Sequence, residues 1–175
     1  LANGFLPDLD GLDDATLART VAIYIASPAN PQGAVASRQY LGRLKQLADR
    51  FGFMIFSDEC YSEIYTLKPP GSMLEHAGPD YSNVVAFQSL SKRSNVPGMR
   101  SGFVAGDPAI IKKYLLYRTY QGCAMSLPVQ QANITAWNDE AHVVENRRLY
   151  REKFAAALEI LRPATGAEMP DAAFY

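Results

Sequence analysis

Apolar residues follow two patterns along this chain of 175 residues. Short runs with few polar residues predict strands, whereas apolar residues three or four positions apart predict helices. The predicted strands are Val21 to Ala26, Phe53 to Phe56, Val84 to Phe87 and Gly102 to Gly106. The predicted helices are Asp13 to Arg19, Ser37 to Arg50, Pro108 to Gly122, Pro128 to Asn138 and Glu140 to Leu161. Strands that alternate with helices predict an α/β fold with a parallel sheet.

Helix ends and buried faces can also be predicted. Ser37 is a typical N-cap residue, and Gly52 is a typical C-terminal stop. Residues 62 to 83 form a long connection that is expected to contain a short helix. The third helix, Pro108 to Gly122, is expected to bury Ile110, Ile111, Tyr114, Leu115 and Arg118. The last is expected to bury Val143, Tyr150, Phe154, Leu158 and Leu161, and to end at Pro163 and Gly166.

Polar side chains follow three successive predicted strands. Asn30 comes after the first strand, Asp58 and Tyr61 after the second, and Ser89 and Lys92 after the third. If these strands are parallel neighbours, the residues converge at one edge of the sheet, where open α/β sheets bind ligands.

Each residue also has an ordinary structural explanation. A lone loop lysine such as Lys92 is most often solvated, and Asp58 can cap a helix or lie on the surface. Tyr61 can be a core residue, and Asn30 can simply form a turn. Glu59 and Arg93, which adjoin these residues, are expected to face away from the site.

The motifs Asn-Pro-x-Gly, Asp-x-x-Tyr and Ser-x-x-Lys, followed by Arg100, occur here in that order. In this order the chain resembles the class I/II aminotransferases, which are fold-type I enzymes dependent on pyridoxal phosphate (PLP). The resemblance implies a three-layer sandwich with a mainly parallel sheet. It also implies that residues 1–162 belong to a large PLP-binding domain whose N-terminal part is missing, and that residues 163–175 begin a truncated small domain.

The resemblance assigns roles to the residues at the strand ends. Lys92 corresponds to the lysine that bonds to the PLP aldehyde and later moves a proton. Asp58 corresponds to the partner of the ring nitrogen. Tyr61 and Asn30 correspond to donors to the phenolic oxygen, with a cis peptide bond before Pro31.

The phosphate of PLP is assigned to a second set of side chains. By the same resemblance, Ser89 and Arg100 hold the phosphate, with Ser91 as a further donor. The planar guanidinium of arginine suits phosphate oxygens because it can donate two parallel hydrogen bonds.

Longer strings indicate a narrower resemblance. The stretch from Ser89 to Asp107 and the string Ala-Trp-Asn-Asp-Glu-Ala-His-Val are similar to proteobacterial succinyldiaminopimelate aminotransferases of lysine biosynthesis. Such an enzyme transfers an amino group between an amino acid and 2-oxoglutarate. The alternatives are an aromatic or aliphatic amino acid aminotransferase, a carbon–sulfur lyase, or the PLP-binding sensor domain of a transcription regulator.

Composition narrows the range of partners. The net charge of −1 gives no indication of a nucleic-acid or membrane surface. No leader peptide or membrane span is predicted, so the expected location is the cytoplasm. Cys60 and Cys123 have no paired spacing that would predict a disulfide or zinc site, and His76 and His142 are expected at the surface without a metal. The family further implies a homodimer.

Overall fold

A four-stranded sheet organises the chain, in a computed structural model that describes residues 3–122 and 124–168. The strands are β1 (Ala22–Ala26), β2 (Met54–Asp58), β3 (Val84–Ser89) and β4 (Gly102–Gly106), in that spatial order. Strands β1, β2 and β3 are parallel, and β4 runs antiparallel to β3. The predicted α/β class with a mainly parallel sheet is confirmed.

Two helices begin and end where the sequence predicts. Helix α1 (Asp14–Ala18) starts after Asp13, whose carboxylate accepts a hydrogen bond from Thr16 N at 2.7 Å. Helix α2 (Arg38–Phe51) starts after Ser37, whose Oγ accepts from Tyr40 N at 3.1 Å. Gly52 ends α2 with φ of 77°, a left-handed conformation that costs little without a Cβ atom.

The two faces of the sheet have different surroundings. On the face of β1, β2 and β3 that packs against α2, Ile25, Ile55 and Val84 are buried in the core, and Ile23 is partly buried against it. Leu44 and Ala48 of α2 pack in the same core, each with 0% exposure. Side chains alternate between faces along a strand, so the residues between these belong to the opposite face.

Glycine allows β4 to lie close to β3. A Cβ atom at Gly102 would stand 2.4 Å from Gln88 O, and one at Gly106 would stand 2.0 Å from Val84 O. These distances are far below van der Waals contact, so a larger residue at either position would push the strands apart. Gly102 pairs with Ser89, and the preceding residues of the chain therefore lie beside the end of β3.

Helix α3 (Leu90–Arg93) follows β3 directly. In the part of the chain that the structure describes, three helices follow the sheet: α4 (Pro108–Gln121), α5 (Leu127–Asn138) and α6 (Ala141–Thr165). The predicted buried stripe of α4 is wrong. Ile110, Ile111 and Arg118 are half-buried and Tyr114 and Leu115 are exposed, although the structure describes the whole of α4. Leu116, Tyr117 and Tyr120 are also apolar or aromatic and exposed, so the spacing did not single out one face of this helix.

Helix α6 is longer than predicted. It buries Val143, Phe154 and Leu158 as expected, but Tyr150 is half-buried and Leu161 is exposed. The helix continues through Pro163 and ends at Gly166, with φ of 68°. Proline has a helical φ, and the carbonyl that loses its partner belongs to exposed Glu159, where water can bind it. The division into domains at residue 162 stays a prediction, and residues 169–175 lie outside the described residues.

Shorter predictions have mixed outcomes. The connection between β2 and β3 contains a 3-10 helix, Met73–His76, as expected, with Ser72 and Glu75 forming a capping box. Cys123 lies outside the described residues. In the described part of the chain, no helix has the length and apolar character needed to cross a membrane.

Candidate functional site

The polar segments after β1, β2 and β3 leave the sheet at the same edge. Ala26, the last residue of β1, pairs with Asp58, and Asp58 pairs with Phe87, two residues before Ser89. Three successive strands therefore end side by side, because parallel strands place their carboxyl ends together. The sequence-based expectation of one shared edge is confirmed, and we call this edge the C-terminal edge of the sheet.

Asn30, Tyr61 and Lys92 form the first group at this edge. Asn30 Nδ2 donates a hydrogen bond to Tyr61 Oη at 2.9 Å, joining segments that are far apart in the chain. The Lys92 ammonium nitrogen lies 5.6 Å from the centroid of the Tyr61 ring, within the range of a cation–π contact. The Asn30-Pro31 peptide bond is cis, as the family resemblance implied.

Ser89, Ser91 and Arg100 form the second group. Ser89 ends β3 and is the N-cap of the one-turn helix α3 (Leu90–Arg93), where its Oγ accepts from Ser91 N at 3.0 Å. The hydroxyl oxygens of Ser89 and Ser91 are 2.9 Å apart, and Ser89 Oγ also donates to Ser101 O at 3.3 Å. Arg100 adopts φ of 52° and donates from Nη1 to Pro97 O at 2.9 Å.

A cavity of about 540 Å³ adjoins this second group. Ser89 and Arg100 line it, together with residues of β3, β4 and α4. Cys60, for which the sequence predicted no disulfide or zinc site, lines the cavity as well and lies between Asp58 and Tyr61 in the chain. The first group does not contribute to the lining of this cavity. Ser89 and Arg100 thus face a common space, and Lys92 follows Ser89 by three residues in the chain.

Asp58 is the last residue of β2, whose neighbours in the sheet are β1 and β3. Its side chain is exposed, and Oδ1 accepts a hydrogen bond from Cys60 N at 3.0 Å. Burial, with the negative charges of Asp58 and Glu59 as further causes, raises the pKa of the Cys60 thiol to about 12. Cys60 therefore stays protonated near neutral pH and is not a candidate nucleophile.

Glu59 and Arg93 face away from the site, as expected, but both are buried rather than solvated. The Glu59 carboxyl group accepts hydrogen bonds from the Ser57 and Ser72 hydroxyls at 3.0 and 2.8 Å. It also accepts from Met73 N at 2.9 Å and from Gln88 Nε2 at 3.1 Å. Four donors thus fix the residue that follows Asp58, and residue spacing gave no signal of this network.

The two histidines differ from the prediction that they lie at the surface. His76 is half-buried, and its Nε2 is buried without a hydrogen-bond partner among the described residues. His142 is half-buried between Asp139 and Ser94, with a ring nitrogen 2.8 Å from each. Tertiary packing of α6 and of the 3-10 helix covers these rings. Among the described residues, no cluster of His, Cys, Asp and Glu could hold a metal ion.

A larger cavity of about 740 Å³ lies elsewhere, between the residues before α1 and the outer side of α2. Pro7, Asp10, Tyr40 and Arg43 are among its lining residues, and none of the residues assigned to the strand ends lines it. If cavity volume were the only criterion, this groove would be chosen as the functional site. The convergence of an amine, a carboxylate and phosphate-type donors favours the C-terminal edge instead.

Comparison with known proteins matches residues 1–175 to the description "Aminotransferase class I and II". The chain belongs to the class I and II aminotransferases. A crystal structure of an aminotransferase from Neisseria meningitidis has a TM-score of 0.91 and 48% sequence identity, covering 99% of this chain and 45% of that one. The fold of this aminotransferase chain is therefore that of PLP-dependent fold-type I enzymes.

Other relatives have different named substrates. The 4-dedimethylamino-4-oxo-anhydrotetracycline transaminase OxyQ of Streptomyces rimosus is 38% identical, over 81% of this chain and 39% of that protein. The LL-diaminopimelate aminotransferase of Syntrophobacter fumaroxidans is 34% identical, over 99% of this chain and 45% of that protein. A structure of a probable N-succinyldiaminopimelate aminotransferase from Thermus thermophilus has 25% identity and a TM-score of 0.83, covering 97% of this chain and 46% of that one. This chain thus spans less than half the length of these relatives.

The residues at the C-terminal edge fit PLP, on which this family depends. PLP presents an aldehyde, a ring nitrogen, a phenolic oxygen and a phosphate dianion. The edge offers one matching chemical group for each: the amine of Lys92, the carboxylate of Asp58, and the paired hydroxyl and amide of Tyr61 and Asn30. The phosphate is matched by the two adjacent serine hydroxyls and by Arg100, and of these residues Ser89 and Arg100 line the 540 Å³ cavity.

Proposed function

We propose that the protein is a PLP-dependent aminotransferase that works on N-succinyl-LL-diaminopimelate and 2-oxoglutarate in lysine biosynthesis. The observation that carries the aminotransferase proposal is the meeting of Asn30, Tyr61 and Lys92 beside the serine and arginine group at one edge of the sheet. The diaminopimelate proposal is supported by the relatives named for diaminopimelate and its succinyl derivative.

Lys92 is assigned the covalent and proton-transfer roles. When bound, PLP supplies an electron sink that makes the proton on the substrate α-carbon acidic. The Lys92 amine would hold the cofactor through its aldehyde carbon, and in its neutral form the amine would accept the proton that leaves the substrate α-carbon. The adjacent Tyr61 ring limits where the side chain can reach.

Asp58 and Tyr61 are assigned to the two polar sides of the cofactor ring. The Asp58 carboxylate stabilises a protonated ring nitrogen, which increases the electron-withdrawing power of the ring. The Tyr61 hydroxyl donates to the phenolic oxygen, and Asn30 fixes the direction of that hydroxyl through its own hydrogen bond at 2.9 Å.

The serine and arginine group is assigned to the phosphate. Ser89 and Ser91 carry hydroxyls 2.9 Å apart that can donate to neighbouring phosphate oxygens. Arg100 adds a charge and hydrogen-bond donors in a planar arrangement. In the structure Nη1 donates to Pro97 O, a bond that the guanidinium would exchange for phosphate oxygens when PLP is bound.

The attachment of PLP to Lys92 can be tested directly. The complete translation product of the gene is the appropriate protein, because the relatives are about twice as long as this chain. Borohydride reduction followed by peptide mapping should place the pyridoxyl group on Lys92, and the Lys92→Ala variant should lose both the label and amino transfer. Lys112→Ala, which changes an exposed lysine on α4, is the matched control and should keep both. Labelling of another lysine in wild type would overturn the assignment.

The substrate is tested separately with a panel of amino donors and 2-oxoglutarate. The proposal expects the highest kcat/KM for N-succinyl-LL-diaminopimelate, above LL-diaminopimelate and aromatic or aliphatic amino acids. A higher value for another donor would overturn the substrate and leave the reaction class intact. The cytoplasmic homodimer stays a prediction, for which light scattering and cell fractionation are the measurements.

A further inference from the structure

Lys92 lies in α3, a helix of only four residues. A single helical turn has little stability of its own, because its nucleation cost is not repaid by further hydrogen bonds. Ser89 satisfies the N-terminal side of this turn, and Ser94 N donates to Leu90 O at 3.0 Å. The last carbonyl groups of any helix have no partner within the helix, and here they belong to Lys92 and Arg93.

A side chain of α6 binds these two carbonyl groups. Asn146 Nδ2 donates to Lys92 O at 2.8 Å and to Arg93 O at 3.1 Å. Both partners are backbone oxygens that can only accept, so the amide nitrogen of Asn146 must be the atom that faces them. The backbone of Lys92 is therefore held by a half-buried residue far along the chain.

The same part of α6 is tied to the segment that follows Tyr61. Arg147 donates from Nε to Glu63 O at 3.2 Å, and its guanidinium pairs with the Glu63 carboxylate. The guanidinium carbon also lies 4.1 Å from the centroid of the Tyr65 ring. The Arg147 side chain is 11% exposed, so this ion pair is shielded from solvent.

Neighbouring side chains of one helix thus contact both segments that carry the assigned amine and phenol. Helix α6 is a rigid element, whereas α3 is a single helical turn and the segment directly after Tyr61 has no regular secondary structure. Rigid elements that support such pieces set the precision with which functional groups are held.

We propose that Asn146 is a positioning residue for Lys92 and that Arg147 has the same role for the segment carrying Tyr61. This inference rests on the proposed function, in which the Lys92 amine must reach the substrate α-carbon. Misplacement of a reacting group by about 1 Å can reduce the rate about 100-fold. Asn146 touches no reacting atom in this assignment and acts through the backbone carbonyl groups of Lys92 and Arg93.

The test uses three variants of the complete translation product. Asn146→Asp keeps the shape of the side chain but directs an acceptor at two carbonyl oxygens, and Asn146→Ala removes the donor without repulsion. Asn138→Asp is the matched control, because the Asn138 amide donates to Ile134 O at 2.9 Å on the exposed surface of α5. All three change an asparagine amide that binds a helix carbonyl.

Hydrogen exchange of the PLP-free protein gives a readout that does not depend on activity. The amides of residues 90–94 should exchange about 10-fold faster in Asn146→Asp than in wild type, as expected for the loss of about one tertiary hydrogen bond. Exchange in α2 should stay unchanged. Asn138→Asp should match wild type in both regions. Equal exchange of residues 90–94 in wild type and both Asn146 variants would overturn the proposal, as would faster exchange spread evenly over the chain.

Kinetics and absorbance complete the test. In Asn146→Asp, kcat should fall about 10- to 100-fold with KM within about threefold, because orientation rather than substrate binding is lost. The pH midpoint of the PLP absorbance should shift in this variant and not in Asn138→Asp. An unchanged kcat and midpoint would overturn the proposal. An inactive wild type would overturn the proposed function instead, and hydrogen exchange together with borohydride labelling of Lys92 would still decide the positioning role.

Discussion

The two faces of the sheet come from the same strands but have opposite surroundings. On the face toward α2, Ile55 is 0% exposed and the side chains form a continuous core. On the other face, Tyr24 is 77% exposed, and it contacts Phe56 with ring centroids 4.9 Å apart. Asp58 follows Phe56 on the open face, whereas Glu59 turns toward the closed face and is 2% exposed.

This difference between the faces gives the two adjacent carboxyl groups at the end of β2 different roles: a structural role for Glu59 and a functional role for Asp58. The closed face surrounds Glu59 with four hydrogen-bond donors, so its carboxyl group is saturated. The open face leaves Asp58 with a bond to Cys60 N and room for a ligand. Alternation along a strand can therefore assign adjacent acidic residues to opposite tasks.

The largest expected effect is on activity, at the open face. Asp58→Ala should reduce kcat by about 10²- to 10³-fold, because a charge placed beside the ring nitrogen is lost. Its free energy of unfolding should fall by less than about 1 kcal/mol, since the side chain is exposed. Steady-state kinetics and urea denaturation measure the two effects, with Asp58→Glu as the milder variant. A kcat within tenfold of wild type for Asp58→Ala would contradict the assignment.

The second-largest expected effect is a loss of stability when Glu59, at the closed face, is substituted. Glu59→Ala should lower the free energy of unfolding by about 3 kcal/mol, because buried donors such as Met73 N lose their acceptor. The matched control is Glu159→Ala on the exposed side of α6, which should stay within about 0.5 kcal/mol of wild type. Equal stability of the two variants in urea denaturation would show that the buried network is not stabilising.

A smaller effect on stability and on PLP binding is expected at Ser89, where a structural and a functional role coincide. Ser89 caps α3 and also belongs to the phosphate group, so Ser89→Ala should cost about 1 kcal/mol of stability. It should also weaken PLP binding about tenfold, which corresponds to about 1.4 kcal/mol. Fluorescence titration with PLP measures the affinity. Loss of stability with unchanged PLP affinity would limit Ser89 to the capping role.

The smallest expected effect concerns Cys60, which lies beside Asp58. Because its folded pKa is raised to about 12 from a usual value of 9.0, the thiol stays protonated in the folded protein. This contribution to stability is present below pH 9.0 and is lost as pH rises toward 12. Iodoacetamide at pH 8 should leave Cys60 unmodified in the native protein and modify it in urea, as measured by peptide mass spectrometry. Rapid native labelling at pH 8 would contradict the raised pKa.

Local signals allowed much of the fold to be predicted. The two ends of α2, at Ser37 and Gly52, could be predicted because capping depends on a few adjacent residues. The strands also lie where the apolar runs predicted them. The residues of the candidate site were predicted from the order of the motifs. Their convergence at one edge was predicted because parallel strands bring their ends together whatever their length. The buried stripe of α4 failed because apolar spacing does not show which part of the protein lies opposite a helix.

The sequence by itself determined the order of strands and helices, most of their ends, the family, and the residues collected at the C-terminal edge. Only the tertiary structure decided that Glu59 is enclosed by four donors, that Asp58 stays open, and that Asn146 binds the backbone of Lys92. The physical reason is the distance along the chain over which each interaction acts. Caps, turns and strand patterns arise from interactions within a few residues. A hydrogen bond from α6 to α3 depends on where packing places two distant segments, and residue types alone do not encode that distance.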